Sequence, residues 1–156
     1  MSNAGDRMTA ADQGQGPTAS DYALEDQIGY MLRKAHQRAT SVFLAKFGEP
    51  ELTPTQWAAL VKLSDTGGAS QNQLGRLTAM DPATIQGVVR RLEERQLVER
   101  AADPDDRRRS MLKLTQAGDA LVDRLRTEAH AVSQTILEPL NGDDRQTLLR
   151  LLGAIS

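Results

Sequence analysis

Two short stretches of this 156-residue chain hold side chains whose types and spacing suit contact with a nucleic acid. The first contributes Thr84, Gln86, Gly87, Arg90 and Arg91. Glutamine can bond adenine through two atoms, threonine can meet a base edge or a thymine methyl, and arginine suits guanine or a phosphate. Gly87 and the neighbouring Ala83 are small enough to let a backbone approach a groove floor. The second stretch is the run Arg107, Arg108, Arg109. Guanidinium groups on a thin projection are drawn to the negative potential of the minor groove. Asp106, beside the run, can orient one of them by a charge-assisted bond. Each stretch also has a plainer reading: a solvated helix face, and a loop whose charges cancel against Asp105 and Asp106. Both fall between residues 83 and 109, and the joint reading outweighs the separate plain ones.

Chemistry of this kind needs elements to position it. A long helix is expected from about Ser20 to Phe47, with Leu24, Ile28, Leu32, Ala35, Ala39, Val42, Phe43 and Phe47 on one stripe. Gly48 and Pro50 end it. Thr53-Pro54-Thr55-Gln56 has the form of a capping box, with Trp57, Leu60, Val61 and Ser64 on one face behind it. Ser70-Gln71-Asn72-Gln73 is a second box, opening a short helix with Leu74 and Leu77 inward. Asp81-Pro82 starts a third helix, running to about Arg95, after a turn at Ala79, Met80 and Asp81. At about 100° per residue, Ile85, Val88, Val89 and Leu92 form its buried stripe, leaving the candidate reading residues opposite. A short capped helix, a tight turn and a longer amphipathic helix outline a helix-turn-helix.

The period then changes. Leu97–Ala101 and Ser110–Leu114 read as strands around a polar loop punctuated by Pro104, a hairpin that would carry the three arginines at its tip. Thr115 caps a second long helix to about Leu137. Pro139 to Gly142 is a break, and Asp143 to Ile155 forms a last helix with Leu148, Leu151, Leu152 and Ile155 inward. The terminal helices carry more apolar surface than the middle can cover, and a second copy of the chain is the expected partner.

Composition bounds these readings. With no Cys and two His, the chain has no thiolate zinc site, cysteine nucleophile or thiol redox sensor. It has no HExxH, no GxSxG and no phosphate-cradling glycine loop, so neither a catalytic site nor a metal is expected. Aromatics are 3%, which makes the core aliphatic. The net charge of −2 argues superficially against a polyanionic partner. Its distribution reverses that: residues 1–30 hold one basic and five acidic side chains, whereas residues 70–115 hold nine basic and seven acidic. Residues 1–20 read as a disordered tail without an apolar signal core, and no run approaches the ~18 apolar residues of a membrane span. A cytoplasmic protein without a membrane partner is expected.

Four residues are candidates for holding a small molecule. His36 sits inside the apolar stripe of the first helix, where it is either a core residue or a polar group in a hydrophobic pocket. Arg33 and Arg38 flank that stripe, and each is a surface cation or a partner for an anion. Trp57 is a core residue or a pocket wall.

At this point the sequence resembles the multiple-antibiotic-resistance regulator (MarR) family of winged-helix transcription factors, over about residues 22–155. The most specific piece is Asp106-Arg107-Arg108-Arg109-Ser110-Met111-Leu112-Lys113-Leu114-Thr115. It matches the family's wing signature of an Asp, any residue, an Arg, five further residues and Leu-Thr, with Gly118 following in register. Met80-Asp81-Pro82-Ala83-Thr84-Ile85, Arg91-Leu92-Glu93 and Leu97-Val98-Glu99-Arg100 are similar to the family too. Leu24 to Gly29, Leu52 to Leu60 and Ser70 to Gly75 resemble regulators of aromatic-acid catabolism, among them repressors answering to hydroxycinnamoyl-coenzyme A thioesters or nicotinate-like acids.

The resemblance implies a mainly α fold with a small β-hairpin wing. Residues 21–156 would form a single domain, with 22–47 and 116–156 as dimerisation helices and 52–115 as a winged helix-turn-helix lobe. It implies a homodimer on a pseudo-palindromic operator in double-stranded DNA, acting as a repressor. It also implies a small-molecule effector, an aromatic carboxylate or its coenzyme A thioester, rather than a cofactor. The lack of Cys excludes the family's peroxide-sensing mechanism. The alternative is a winged-helix protein-interaction module without specific DNA binding, which the acidic total favours and the arginine-rich wing opposes.

Overall fold

The computed structural model describes residues 22–49, 52–102 and 110–156. A 3-10 turn at Leu24–Asp26 precedes α1 (Ile28–Lys46), α2 (Pro54–Thr66), α3 (Gln71–Leu77) and α4 (Pro82–Glu94). Strands β1 (Val98–Ala102) and β2 (Ser110–Leu114) follow, then α5 (Gln116–Leu137) and α6 (Gly142–Ile155). The fold is mainly α with one antiparallel hairpin. The chain divides into two compact units, the first ending at His36 and the second beginning at Gln37.

The first unit holds the 3-10 turn and the start of α1. The single helix expected from Ser20 is interrupted here. Gln27 is extended (φ −79°, ψ 126°), its side-chain amide donates to the Ala23 carbonyl at 2.9 Å, and its own carbonyl accepts from Met31. Gln27 is therefore where α1 starts, and the residues before it close a separate turn. Ser20 lies outside the described residues, as does the expected tail at 1–20.

The second unit contains the whole buried core. Leu52, Leu60, Leu63, Leu74, Leu92, Leu112 and Leu125 are essentially sealed from solvent, with Phe43 and Phe47 at its edge. Burying each such leucine contributes about 1.5–3 kcal/mol. The caps at Thr53 and Thr115 act as their sequences predict, the expected box at Ser70 is only half made, and the cap at Asn141 is a further one. Thr53 accepts from the Gln56 N–H while the Gln56 carboxamide accepts from the Thr53 N–H, a complete capping box. At Ser70 the forward half is present, the Gln73 N–H donating to Oγ. Thr115 accepts from the Gly118 N–H and donates to the Gln96 carbonyl. Asn141 caps α6 through the Asp144 N–H.

Three inward faces differ from expectation. The buried side of α2 is Gln56, Ala59, Leu60 and Leu63, with Trp57 only half-buried. Burial of Gln56 is eased because the cap satisfies its carboxamide oxygen. Leu77 is 41% exposed, since α3 ends there in a tight turn and Leu74 alone reaches the core. In α6 no residue is buried, and Leu148, Leu151 and Ile155 face outward.

The hairpin pairs Val98 with Leu114, Arg100 with Leu112 and Ala102 with Ser110. β1 starts one residue later than expected because Leu97 closes the end of α4. Its N–H donates to the Leu92 carbonyl, with Gln96 left-handed at φ 57° between them. A single-residue bridge to the hairpin was not legible in the sequence. Ala69 bridges Leu112 by two backbone bonds of 3.0 and 2.8 Å, fastening the hairpin base to the segment entering α3. Gly118 permits the close approach of α5: a Cβ there would run into the Leu97 carbonyl oxygen.

Candidate nucleic-acid interface

The candidate site is the outer face of α4 with the elements that aim it. Ile85, Val88, Val89 and Leu92 are at most 6% exposed, the stripe expected from their spacing. That burial fixes the rotation of the helix, so Thr84, Gln86, Arg90 and Arg91 are exposed and Gly87 is half-buried among them. Arg90 meets Glu94 at 3.7 Å one turn on, with both side chains at least 65% exposed. Such a pair is worth only a few tenths of a kcal/mol and can release its guanidinium to a phosphate.

The start of α4 is held by one carboxylate. Asp81 Oδ1 accepts from the backbone N–H groups of Ala83 and Thr84, both at 3.0 Å, and Oδ2 accepts from the Thr84 hydroxyl at 2.5 Å. The Thr84 hydroxyl first, and its backbone N–H next, hold the Asp81 carboxyl below the ordinary carboxylate range.

The turn before α4 is compact. Ala79 is left-handed at φ 52°, and the Met80 N–H donates to the Gly75 carbonyl at 2.9 Å. A Cβ on Gly75 would sit 3.2 Å from the Met80 oxygen and 3.4 Å from Ile85, so a glycine lets α3 and α4 pack this closely. Gly87 is the opposite case, because a Cβ added there meets nothing within 4 Å.

Three ion pairs, gathered in two nodes, brace the frame. Arg100 on β1 donates to Glu93 on α4 at 2.8 Å and to Gln71 on α3 at 3.2 Å, tying the hairpin to both helices. Glu49 accepts from Arg95 at the end of α4 and from Arg124 on α5, at 3.0 and 2.9 Å. Neither node was found by sequence reasoning. The partners lie between 7 and 75 positions apart, and nothing in the local pattern singles them out.

Asp106, Arg107, Arg108 and Arg109 lie outside the described residues; the strands that flank them, β1 and β2, lie inside. Of the four effector candidates, Arg33 and His36 belong to the first unit. Both are exposed, and the Arg33 guanidinium lies 5.5 Å from the centre of the Tyr30 ring. Arg38 and Trp57 belong to the second. Arg38 is exposed, and Trp57 packs edge-on against Phe47 with ring centres 5.1 Å apart. A separate polar cavity of about 360 Å³ opens between Lys46, Gln134, Thr135, Glu138 and Arg145. None of the four candidates lines it. Among the described residues no cluster of His, Asp or Glu has a metal-holding arrangement, and no helix is long and apolar enough to cross a membrane.

Known proteins resemble this chain over most of its length. The model of the MarR family matches residues 52–110, the segment from the start of α2 to the second strand. The HTH-type transcriptional repressor NicR of Pseudomonas putida is 41% identical over 131 residues, which is 84% of this chain and 83% of NicR. A crystal structure of a probable transcriptional regulator from Pseudomonas aeruginosa superposes with a TM-score of 0.82 at 49% identity, covering 86% of this chain and all of that one. BpsR of Bordetella bronchiseptica, described as regulated in its DNA binding by 6-hydroxynicotinic acid, gives 0.81 at 34% identity, over 90% of this chain and 97% of its own. These relatives are transcriptional regulators, in keeping with the expectation of a non-enzyme.

Proposed function

Since the chain belongs to the MarR family, we propose that it is a homodimeric repressor that binds a pseudo-palindromic operator and releases it when a small aromatic acid binds. The observation that carries this reading is the division of α4. Its apolar stripe is sealed, while the opposite face offers Thr84, Gln86, Arg90 and Arg91 around a glycine that the fold itself does not require. A glycine in a helix interior costs about 1 kcal/mol relative to alanine. Close approach of a duplex backbone gives Gly87 a use that recovers this cost. Arg107, Arg108 and Arg109 at the wing tip would enter the neighbouring minor groove, with Asp106 orienting them.

Two copies are needed to read two half-sites one helical turn apart. The faces available for pairing are the exposed apolar residues of the terminal helices, such as Ile28 and Met31 on α1 and Leu149 and Leu151 on α6. The aromatic-acid effector is supported by the likeness to NicR and to BpsR, the latter with its 6-hydroxynicotinic acid. The candidates for it are Arg33 and His36 in the first unit and, taken separately, Arg38 and Trp57 in the second, where an arginine would pair the carboxylate or, in a coenzyme A thioester, the phosphates. The effector would act by favouring a separation of the two α4 helices that misfits successive major grooves. Such a repressor works in the cytoplasm, alongside its operator.

Footprinting on DNA upstream of the chain's own gene tests this reading. A protected, two-fold-symmetric site that weakens on adding 6-hydroxynicotinate or a related aromatic acid is expected. Absence of sequence-specific protection at low salt would overturn it in favour of a protein-interaction module.

A further inference from the structure

Resting on that DNA-reading role, we propose that Thr84 reads one base position solely as a hydrogen-bond acceptor, because Asp81 takes its only proton. A threonine hydroxyl has one hydrogen to give and two lone pairs to offer, so ordinarily it can face either a donor or an acceptor. Here the hydrogen is committed. The Thr84 hydroxyl donates to Asp81 Oδ2 at 2.5 Å, while Oδ1 of the same carboxylate is fixed by the N–H groups of Ala83 and Thr84. An ionised carboxylate has no proton to return, so the arrangement cannot reverse. What the exposed Thr84 hydroxyl can still offer a base is an oxygen with unused lone pairs.

In the major groove, only the exocyclic amines of adenine and cytosine donate, whereas guanine and thymine present acceptors at the corresponding edge. Thr84 therefore favours an amino base, A or C, over a keto base, G or T, on the strand it faces. A keto oxygen set against the Thr84 oxygen would leave two acceptors opposed without a proton. The carboxylate thus does more than cap the helix: it determines which kind of base the neighbouring side chain can accept. Gln86 and Arg90, which carry their own donors, are not restricted in this way.

The test is selection of bound duplexes from a pool randomised across one half-site, using the full-length protein and three variants, with thermal melts as a folding control. Wild type should enrich A and C together at one position by roughly fivefold to tenfold over G and T, the scale of one net hydrogen bond. Thr84→Val should flatten that position alone, and Thr84→Ser should keep the preference. Asp81→Asn retains a capping oxygen for the backbone but turns an amide donor toward Thr84, freeing its proton. The same position should then admit G and T, on top of a sequence-independent gain from the lost negative charge. If Thr84→Val lowers affinity equally for all sequences, or Asp81→Asn alters no base preference, the acceptor role is wrong while DNA reading stands. Failure of wild type to enrich any sequence would overturn the DNA-reading role and this inference together.

Discussion

The winged helix-turn-helix segment and the terminal helices bury their apolar residues very differently. Between Leu52 and Leu125, leucines such as Leu60, Leu74, Leu92 and Leu112 are sealed at 0% exposure. In α6 every leucine keeps some contact with solvent, and Leu149 and Leu151 stand 58% and 50% exposed. At the start of α1, Ile28 and Met31 are 65% and 54% exposed. The two regions have similar apolar periodicity in sequence, yet only one closes on itself. The core of the lobe is completed within the chain by Phe43 of α1, by Phe47 just after it, and by Val122 and Leu125 of α5, all buried. The terminal helices present the kind of surface that soluble proteins keep for association.

The same residue type, perturbed in the two regions, should separate these roles. The largest effect is expected from Leu151→Glu. On the dimer reading it shifts sedimentation toward a monomer and weakens operator binding roughly a hundredfold or more, because the second half-site is no longer tethered. A variant that stays dimeric would show that α6 does not carry the interface. Leu92→Ala should cost about 2–5 kcal/mol in chemical denaturation through the cavity it leaves under α4. Its unfolding midpoint should drop at any protein concentration, whereas that of Leu151→Ala should depend on concentration.

Gly87→Ala sharpens the contrast within the lobe. With no atom within 4 Å of the added methyl, the variant should gain up to about 1 kcal/mol in stability while losing operator affinity tenfold or more. Loss of both together would mean that Gly87 serves the fold. The smallest effect concerns pH. The Asp81 carboxyl titrates below its ordinary value in the folded chain, chiefly through the Thr84 hydroxyl. Its contribution is therefore present above the unfolded-state value and is lost as pH falls through the folded one. Asp81→Asn should remove that part of the acid sensitivity in melts below about pH 4.

Much of this organisation is local chemistry and was legible in the sequence. Thr53-Pro54-Thr55-Gln56 specifies a complete capping box, and the stripe of Ile85, Val88, Val89 and Leu92 sets which face of α4 is left outward. Ser110–Leu114 and the end of α5 at Leu137 coincide with their predicted bounds. What sequence pattern missed depends on distant partners. The Ala69 bridge to Leu112, the Arg100 contacts to Glu93 and Gln71, and the Glu49 pairs with Arg95 and Arg124 join residues up to 75 positions apart. The outward turn of Leu148, Leu151 and Ile155 is a different case. Periodicity reports that a helix has an apolar face without saying whether this chain or another covers it.

One measurement bears most directly on the central claim that the outer face of α4 and the wing read DNA. The binding constant for a duplex from upstream of the chain's own gene, and for a scrambled duplex, should be followed by fluorescence anisotropy over a series of salt concentrations. A preference of about a thousandfold or more for the natural duplex is expected, with affinity for both falling steeply as salt rises. Equal affinity for the two duplexes, or no binding at the lowest salt, would contradict it.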